Sequence, residues 1–220
     1  MKSRIYIFTI LILFLHPLLA QKTILFDGKN LNRWYAYEPV TGKHENAKEL
    51  FNIEKKLIRF YGNKPGYLMS KQSFSNFKLS AQFRWNTDST FTKTSKTKNS
   101  GVMYLVPDTA VDKLWCTGIQ FQIKEKNTGD FIFLGGVTTE IDGKKTVGGK
   151  SVVYPKTLDA EKKYGEWNKI EIIVQNGIII QKLNGKTVNK TQNPSVNSGR
   201  ILLQYEGYPI DFKNIIIKKL

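Results

Sequence analysis

The stretch Phe77-Lys78-Leu79-Ser80-Ala81-Gln82-Phe83-Arg84-Trp85 alternates apolar and polar residues without a break. Successive side chains of a β-strand point to opposite faces, so a period of two over nine residues marks a strand with one buried face. Phe77, Leu79, Ala81, Phe83 and Trp85 turn to a core, and Ser80, Gln82 and Arg84 turn away from it. The same reading extends along the chain. Lys56–Tyr61, Gly101–Val106, Ile119–Lys124, Trp167–Gln175, Ile178–Leu183, Ile201–Tyr205 and Ile210–Ile217 are short β-rich runs separated by Gly, Asn, Asp and Pro. Asn176-Gly177, Asn184-Gly185 and Asp142-Gly143 are hairpin signals, because the favoured two-residue turn needs positive φ at both positions. A turn around Asp159–Lys163 is the only helical suggestion, and no period of 20–50 residues repeats. The pattern predicts an all-β chain: one domain, an antiparallel β-sandwich or jelly roll of ten or more strands.

Composition agrees with a packed core. The 220 residues are 40% hydrophobic and 24% charged, which argues against a disordered chain, a collagen or a coiled coil. A chain of this length buries roughly 70% of its unfolded surface and needs no disulfide or metal for support. The single Cys116 excludes an internal disulfide and a cysteine-based zinc site. Met1–Ala20 reads as a signal peptide: Lys2 and Arg4, an apolar run from Ile5 to Leu15, then the break at His16-Pro17 and a cleavage site before Gln21. The predicted domain is 21–220, exported to the periplasm or beyond, with no membrane span after cleavage. Removal of the leader leaves His44 as the only histidine, so a multi-histidine metal site is excluded and any Ser-His-Asp triad would run through it. The formal net charge of +16 falls to +14. Only five basic residues are Arg, and the Lys are scattered; nucleic-acid readers favour Arg for bidentate contacts, so no nucleic-acid partner is expected.

Strand alternation also selects the side chains that leave the core. Gln120, Gln122 and Lys124 point out from Ile119–Lys124, and Leu202, Gln204 and Glu206 from the run beginning at Ile201. With Arg84, these would line a groove if they shared the concave face of a curved sheet; on a convex face they would be solvated residues. Glutamine and arginine offer planar, fixed hydrogen-bonding groups suited to hydroxyl-rich ligands. Trp34, Tyr35 and Tyr37 cluster in a loop-like stretch, and Trp115 lies in another. Such aromatics either stack on sugar rings or plug the core. Glu140-Ile141-Asp142 resembles the start of the Glu-x-Asp-x-x-Glu motif of retaining β-glucanases. Lys145 stands where the second Glu is needed and Gly143 makes a turn, so the segment reads as a hairpin.

Several phrases, in order along the chain, carry a family resemblance. They are Leu25-Phe26-Asp27-Gly28-Lys29-Asn30-Leu31-Asn32-Arg33-Trp34, Asn99-Ser100-Gly101-Val102, Gly118-Ile119-Gln120-Phe121-Gln122-Ile123 with Thr128-Gly129-Asp130-Phe131, Gly165-Glu166-Trp167-Asn168, Leu183-Asn184-Gly185-Lys186, and Ile201-Leu202-Leu203-Gln204-Tyr205-Glu206-Gly207-Tyr208-Pro209-Ile210 with Phe212-Lys213-Asn214-Ile215. Together they resemble the 3-keto-disaccharide hydrolase domain family, formerly a domain of unknown function, from Thr23 to Leu220. The resemblance implies a concanavalin A-like jelly roll, export, and activity on oxidised glycosides. In one departure, Gln120 stands where related sequences often carry Glu. Asn86–Lys98, rich in Lys and Thr, reads as an inserted mobile loop.

The implied chemistry turns on a ketone at C3, which makes the C2 proton acidic. Its removal lets the C1 substituent leave, and water then adds. This requires a base near C2 and hydrogen-bonding or positive groups at the C3 oxygen. Under that reading Glu206 is the base and Arg84 stabilises the enolate or anchors a hydroxyl. Gln120, Gln122 and Gln204 orient hydroxyls, Trp34 or Trp115 stacks on the ring, and Asp130 and His44 are reserve proton carriers. No motif calls for a cofactor; a divalent cation polarising the ketone would suit the chemistry, without a recognisable metal motif behind it. Two other readings stand beside this one: a non-catalytic glycan-binding module of the same fold, and a secreted polyanion-binding protein driven by its charge.

Overall fold

The structure, a computed structural model, describes residues 21–220; the expected leader, with His16, lies outside the described residues. The first nine strands are β1 (Lys22–Phe26), β2 (Trp34–Glu38), β3 (Gly42–His44), β4 (Asn52–Glu54), β5 (Leu57–Phe60), β6 (Gly66–Phe74), β7 (Phe77–Trp85), β8 (Asn99–Val106) and β9 (Gly118–Lys124). The remainder are β10 (Phe131–Leu134), β11 (Glu140–Ile141), β12 (Lys144–Lys145), β13 (Ser151–Tyr154), β14 (Asn168–Gln175), β15 (Ile178–Leu183), β16 (Lys186–Gln192), β17 (Gly199–Tyr205) and β18 (Ile210–Lys219). All eight strands expected from the sequence are present, with ends within two residues of the expected ones. The three hairpin signals also form turns: Asn176 and Gly177 have φ of 49° and 76°, Asn184 and Gly185 51° and 85°, and Asp142 and Gly143 50° and 75°.

The strands make two antiparallel sheets. The front sheet runs β13-β10-β9-β8-β17-β6-β2-β3, and the back sheet β12-β11-β16-β15-β14-β7-β18-β5-β4, with β1 added beside β18. β18 pairs β7 along one edge and divides its other edge between β5 and β1. The inner faces meet in one apolar cluster. Phe77, Leu79, Phe83, Ile170, Ile172 and Phe212 of the back sheet pack with Val102, Ile119, Phe121, Ile123, Leu203 and Tyr205 of the front sheet. This is the jelly-roll sandwich that the alternation predicts: each strand hides every second residue between the sheets.

Departures are local. Asp159–Lys163 forms no helix; Asp159 Oδ1 instead accepts a bond from the Glu161 N–H at 3.2 Å. Among the described residues the only helical turn is the 3-10 segment Ala47–Glu49, capped by the Asn46 side chain. The segment from Asn86 to Lys98 is tied down rather than free. Phe91 stacks on Tyr61 at 4.4 Å, Thr94 and Ser95 N–H groups donate to the Gly207 carbonyl, and Asn86 Nδ2 donates to Asp211 at 2.9 Å. β17 shifts register between Arg200 and Leu202 against both neighbours, and the Ser70 hydroxyl accepts the Ile201 N–H left over at that bulge. The bulge sets the direction in which Arg200 leaves the sheet.

Phe121 is fully buried at the centre of the inter-sheet core. Phe121→Ala is expected to cost about 3–5 kcal/mol, read as a lower urea midpoint with an unchanged slope.

Candidate functional site

The outer face of the front sheet carries what the inner face excludes. Register places the side chains of Gln120, Met103, Leu202, Met69 and Tyr35 in one row across β9, β8, β17, β6 and β2. The next row holds Gln122 opposite Gly101, and Gln204, Tyr67 and Tyr37 across β17, β6 and β2. A third row begins with Lys124 opposite Asn99, and Glu206 follows just beyond β17. One end of this face is therefore amide and carboxylate, and the other is thioether, aliphatic and phenolic.

The apolar end is covered. The loop between β8 and β9 lies over it and buries Tyr35, Tyr67, Met69, Met103, Cys116 and Leu202 in a second apolar cluster. Asp112 of that loop fixes the cover: Oδ1 accepts the Tyr35 hydroxyl at 2.7 Å and the Tyr67 hydroxyl at 2.5 Å. Arg200 Nη1 donates to the Tyr35 oxygen at 2.9 Å. Burial, followed by the bond to Asp112, pushes both phenols far above their ordinary range, so they act as fixed donors. Burial likewise raises the Cys116 thiol, which donates to the Lys113 carbonyl. Gln204 Nε2 donates to the Leu114 carbonyl at 3.3 Å, while its buried Oε1 has no partner. The loop thus carries Trp115, 55% exposed, to the border of the polar end.

The polar end is a directed chain of amides. Gln120 Nε2 donates to Gln122 Oε1, Gln122 Nε2 to Asn99 Oδ1 at 3.3 Å, and Asn99 Nδ2 to Glu206 Oε2. Gly101 makes room for it, since a Cβ there would meet the Gln120 amide at 2.6 Å. Burial raises the Glu206 carboxyl above the ordinary range, opposed by the Asn99 bond, the Lys124 charge and the Trp115 side chain. A half-buried carboxyl held toward neutrality, with amides on one side and an exposed indole on the other, is suited to moving a proton at a hydroxyl-bearing ring.

The structure brings together Glu206, Gln120, Gln122, Gln204 and Trp115. It does not bring the other expected residues to them. Arg84 lies on β7 of the back sheet and faces the opposite side of the molecule. There its Nε donates to Asp211 at 2.9 Å and its guanidinium lies 4.8 Å from the Trp167 ring centre. Trp34 is fully buried in the inter-sheet core, with Nε1 donating to the Leu25 carbonyl, so it plugs the core and stacks on nothing external. Asp130 is buried at the turn before β10, where Oδ1 accepts the Lys156 N–H at 2.9 Å and ties two loops together. His44 sits on the edge strand β3, between Thr41 Oγ1 and Glu49 Oε2, each at 2.6 Å. The atom order imitates a triad, but the Thr41 hydroxyl donates to Glu38 and is no nucleophile. Sequence reasoning missed Asn99 and Asp112. The alternation Asn99, Gly101, Met103 on β8 could have exposed the first; nothing local marks the second. Among the described residues no group of three or more His, Cys, Asp or Glu could hold a metal ion.

Asp112→Ala would leave two buried hydroxyls without an acceptor, at about 1–3 kcal/mol each. The expected outcome is a lower urea midpoint and faster proteolysis within residues 107–117, with far-UV circular dichroism unchanged.

A curated 3-keto-disaccharide hydrolase of Bacteroides thetaiotaomicron is 26% identical over 181 residues, 74% of this chain, and the chain spans 56% of that protein's length. In fold, the chain is similar to a crystal structure from Parabacteroides distasonis described as a candidate glycosyl hydrolase, at TM-score 0.64 and 19% identity, with 90% and 94% of the two chains covered. It is similar also to the β-glucanase of Bacillus licheniformis, at TM-score 0.53 and 14% identity, covering 91% and 98%. The sequence profile described as "3-keto-alpha-glucoside-1,2-lyase-like domain" matches residues 21–218, so the chain belongs to that family.

Proposed function

We propose that this protein is an exported carbohydrate-active enzyme that cleaves 3-keto-glycosides, with Glu206 as the base. The observation that carries the reading is the Glu206 carboxyl itself: raised by burial, met by Asn99 and bordered by Lys124 and the exposed Trp115. The name of the Bacteroides relative supports the substrate class.

The sugar lies along the amide chain, its hydroxyls exchanging bonds with Gln122 and Asn99, and its apolar face against Trp115. The Glu206 carboxylate takes the C2 proton. The C2–H electron pair becomes the enolate of the C3 ketone, and Lys124 with the Asn99 amide favours the growing negative charge, the task expected of Arg84 from the sequence. The enolate then expels the C1 substituent with its bonding pair. Water adds at C1, a proton returns to C2, and the balance is hydrolysis. A base with a raised pKa is the stronger proton acceptor once ionised, which is the use of burying it.

A second reading, a glycan-binding module without turnover, is favoured by one residue. Gln120 keeps the shape of a glutamate but cannot carry a proton. Release of free sugar from 3-keto-trehalose or 3-keto-maltose, followed across pH 5–9, decides between them: the enzyme releases it and the binding module does not.

Glu206→Gln is expected to lower kcat by at least a hundredfold while the protein remains folded. Activity of the native protein should rise with pH along a limb displaced upward from the ordinary glutamate value of about 4.3. The sign for stability is opposite. The folded state holds its proton above the unfolded pKa, so stability falls as pH rises from the unfolded toward the folded value. That decline should flatten in Glu206→Gln, as measured by urea midpoints between pH 4 and 8.

A further inference from the structure

A pocket lies on the far side of the Trp115 loop segment. Tyr37, Pro39, Leu114, Trp115, Gly135 and the two lysines Lys113 and Lys150 line this pocket of about 340 Å³. Trp115 links the two places: it lines the pocket and is among the groups that influence the Glu206 carboxyl. Under the proposed role of Glu206, this pocket is the recess offered to the group attached to C1 of the sugar.

The lining tells what that group is. Tyr37 is held rigid by stacking on Tyr67, centres 5.0 Å apart and planes 21° from parallel. Proline, leucine and two aromatic rings offer few partners to the hydroxyls of a second sugar, whereas their apolar faces suit a planar ring. A cavity of ~150 Å³ already accepts benzene, so the volume admits a substituted one. The charge lining the pocket has one sign. Lys113 and Lys150 make no ion pair among the described residues, and no carboxylate lines the pocket.

We infer that this pocket receives a carboxylated aromatic aglycone, so that the substrates are 3-keto derivatives of acidic aryl glycosides. Which end of the glycoside enters rests on the proposed role of Glu206; the preference of the pocket for an anionic ring does not. The chemistry fits the proposed elimination. The C1–O bond breaks with its electron pair on oxygen, and an aryl oxide, the base of a phenol with pKa about 10, leaves more readily than a sugar alkoxide.

Isothermal titration of the purified protein with methyl, phenyl and 4-carboxyphenyl α-D-glucoside tests the pocket without requiring turnover. The expected order of affinity is carboxyphenyl over phenyl over methyl, each step about tenfold. Tyr37→Ala should erase the gain from methyl to phenyl. The double variant Lys113→Ala with Lys150→Ala should erase only the gain from the carboxylate, as should 0.5 M salt. Equal affinities, no binding by any of the three, or gains that survive these substitutions would overturn the inference. Turnover of the 3-keto forms is read separately. Binding in the expected order without product refutes the catalytic reading alone, and product without an aryl preference refutes the pocket alone.

Discussion

Two tyrosine hydroxyls share one carboxylate oxygen beneath a loop, and the outer face of the front sheet is organised around that contact. Tyr35 and Tyr67 stand on neighbouring strands, β2 and β6, and Asp112 arrives from the connection between β8 and β9. In a low-dielectric setting a carboxylate bonded by two buried hydroxyls and approached through Tyr35 by Arg200 is held firmly. The loop then seals the methionine and leucine side chains, which could not stay in water as a patch of that size without inviting aggregation. It also stops short. Gln122, Asn99 and Glu206 remain beside its edge, and Trp115 stands at that border.

The strands were legible where one face is wet. Phe77–Trp85 alternates in sequence and in burial, and its boundaries follow the pattern; Ile178–Leu183 alternates in burial, and its flanking Asn-Gly turns mark its ends. β6 was not, because Gly66–Ser70 is buried on both faces, so its period of two carries no polar mark. β2 was read as loop-like for the same reason: Trp34 and Ala36 face the core while Tyr35 lies under the loop. β16, Lys186–Gln192, was lost among polar residues on a strand with few apolar anchors.

The candidate site divides along the same line. Alternation reports whether a side chain faces the core, not which sheet bears it. Gln120, Gln122, Gln204, Glu206 and Arg84 all point outward, but Arg84 leaves the other sheet, where Asp211 takes its charge. A residue on β7 and one on β9 share a face only if their strands share a sheet, and that pairing is set by long-range contacts absent from any local window. Asp112 and the Trp115 loop belong to the same class. Their partners lie 77 and 45 residues away for the two tyrosine bonds, so no motif could announce them.

The chain has one thiol. Outside the cytosol, where the proposed export places it, an unpaired sulfhydryl is a hazard, since thiolates there form mixed disulfides and couple one molecule to another. Cys116 lies fully buried under the Asp112 clamp, and burial keeps it protonated. The cover that positions an indole therefore also serves as a shield against oxidative dimerisation, so a lesion in the clamp would reach beyond the proposed site to the solubility of the protein.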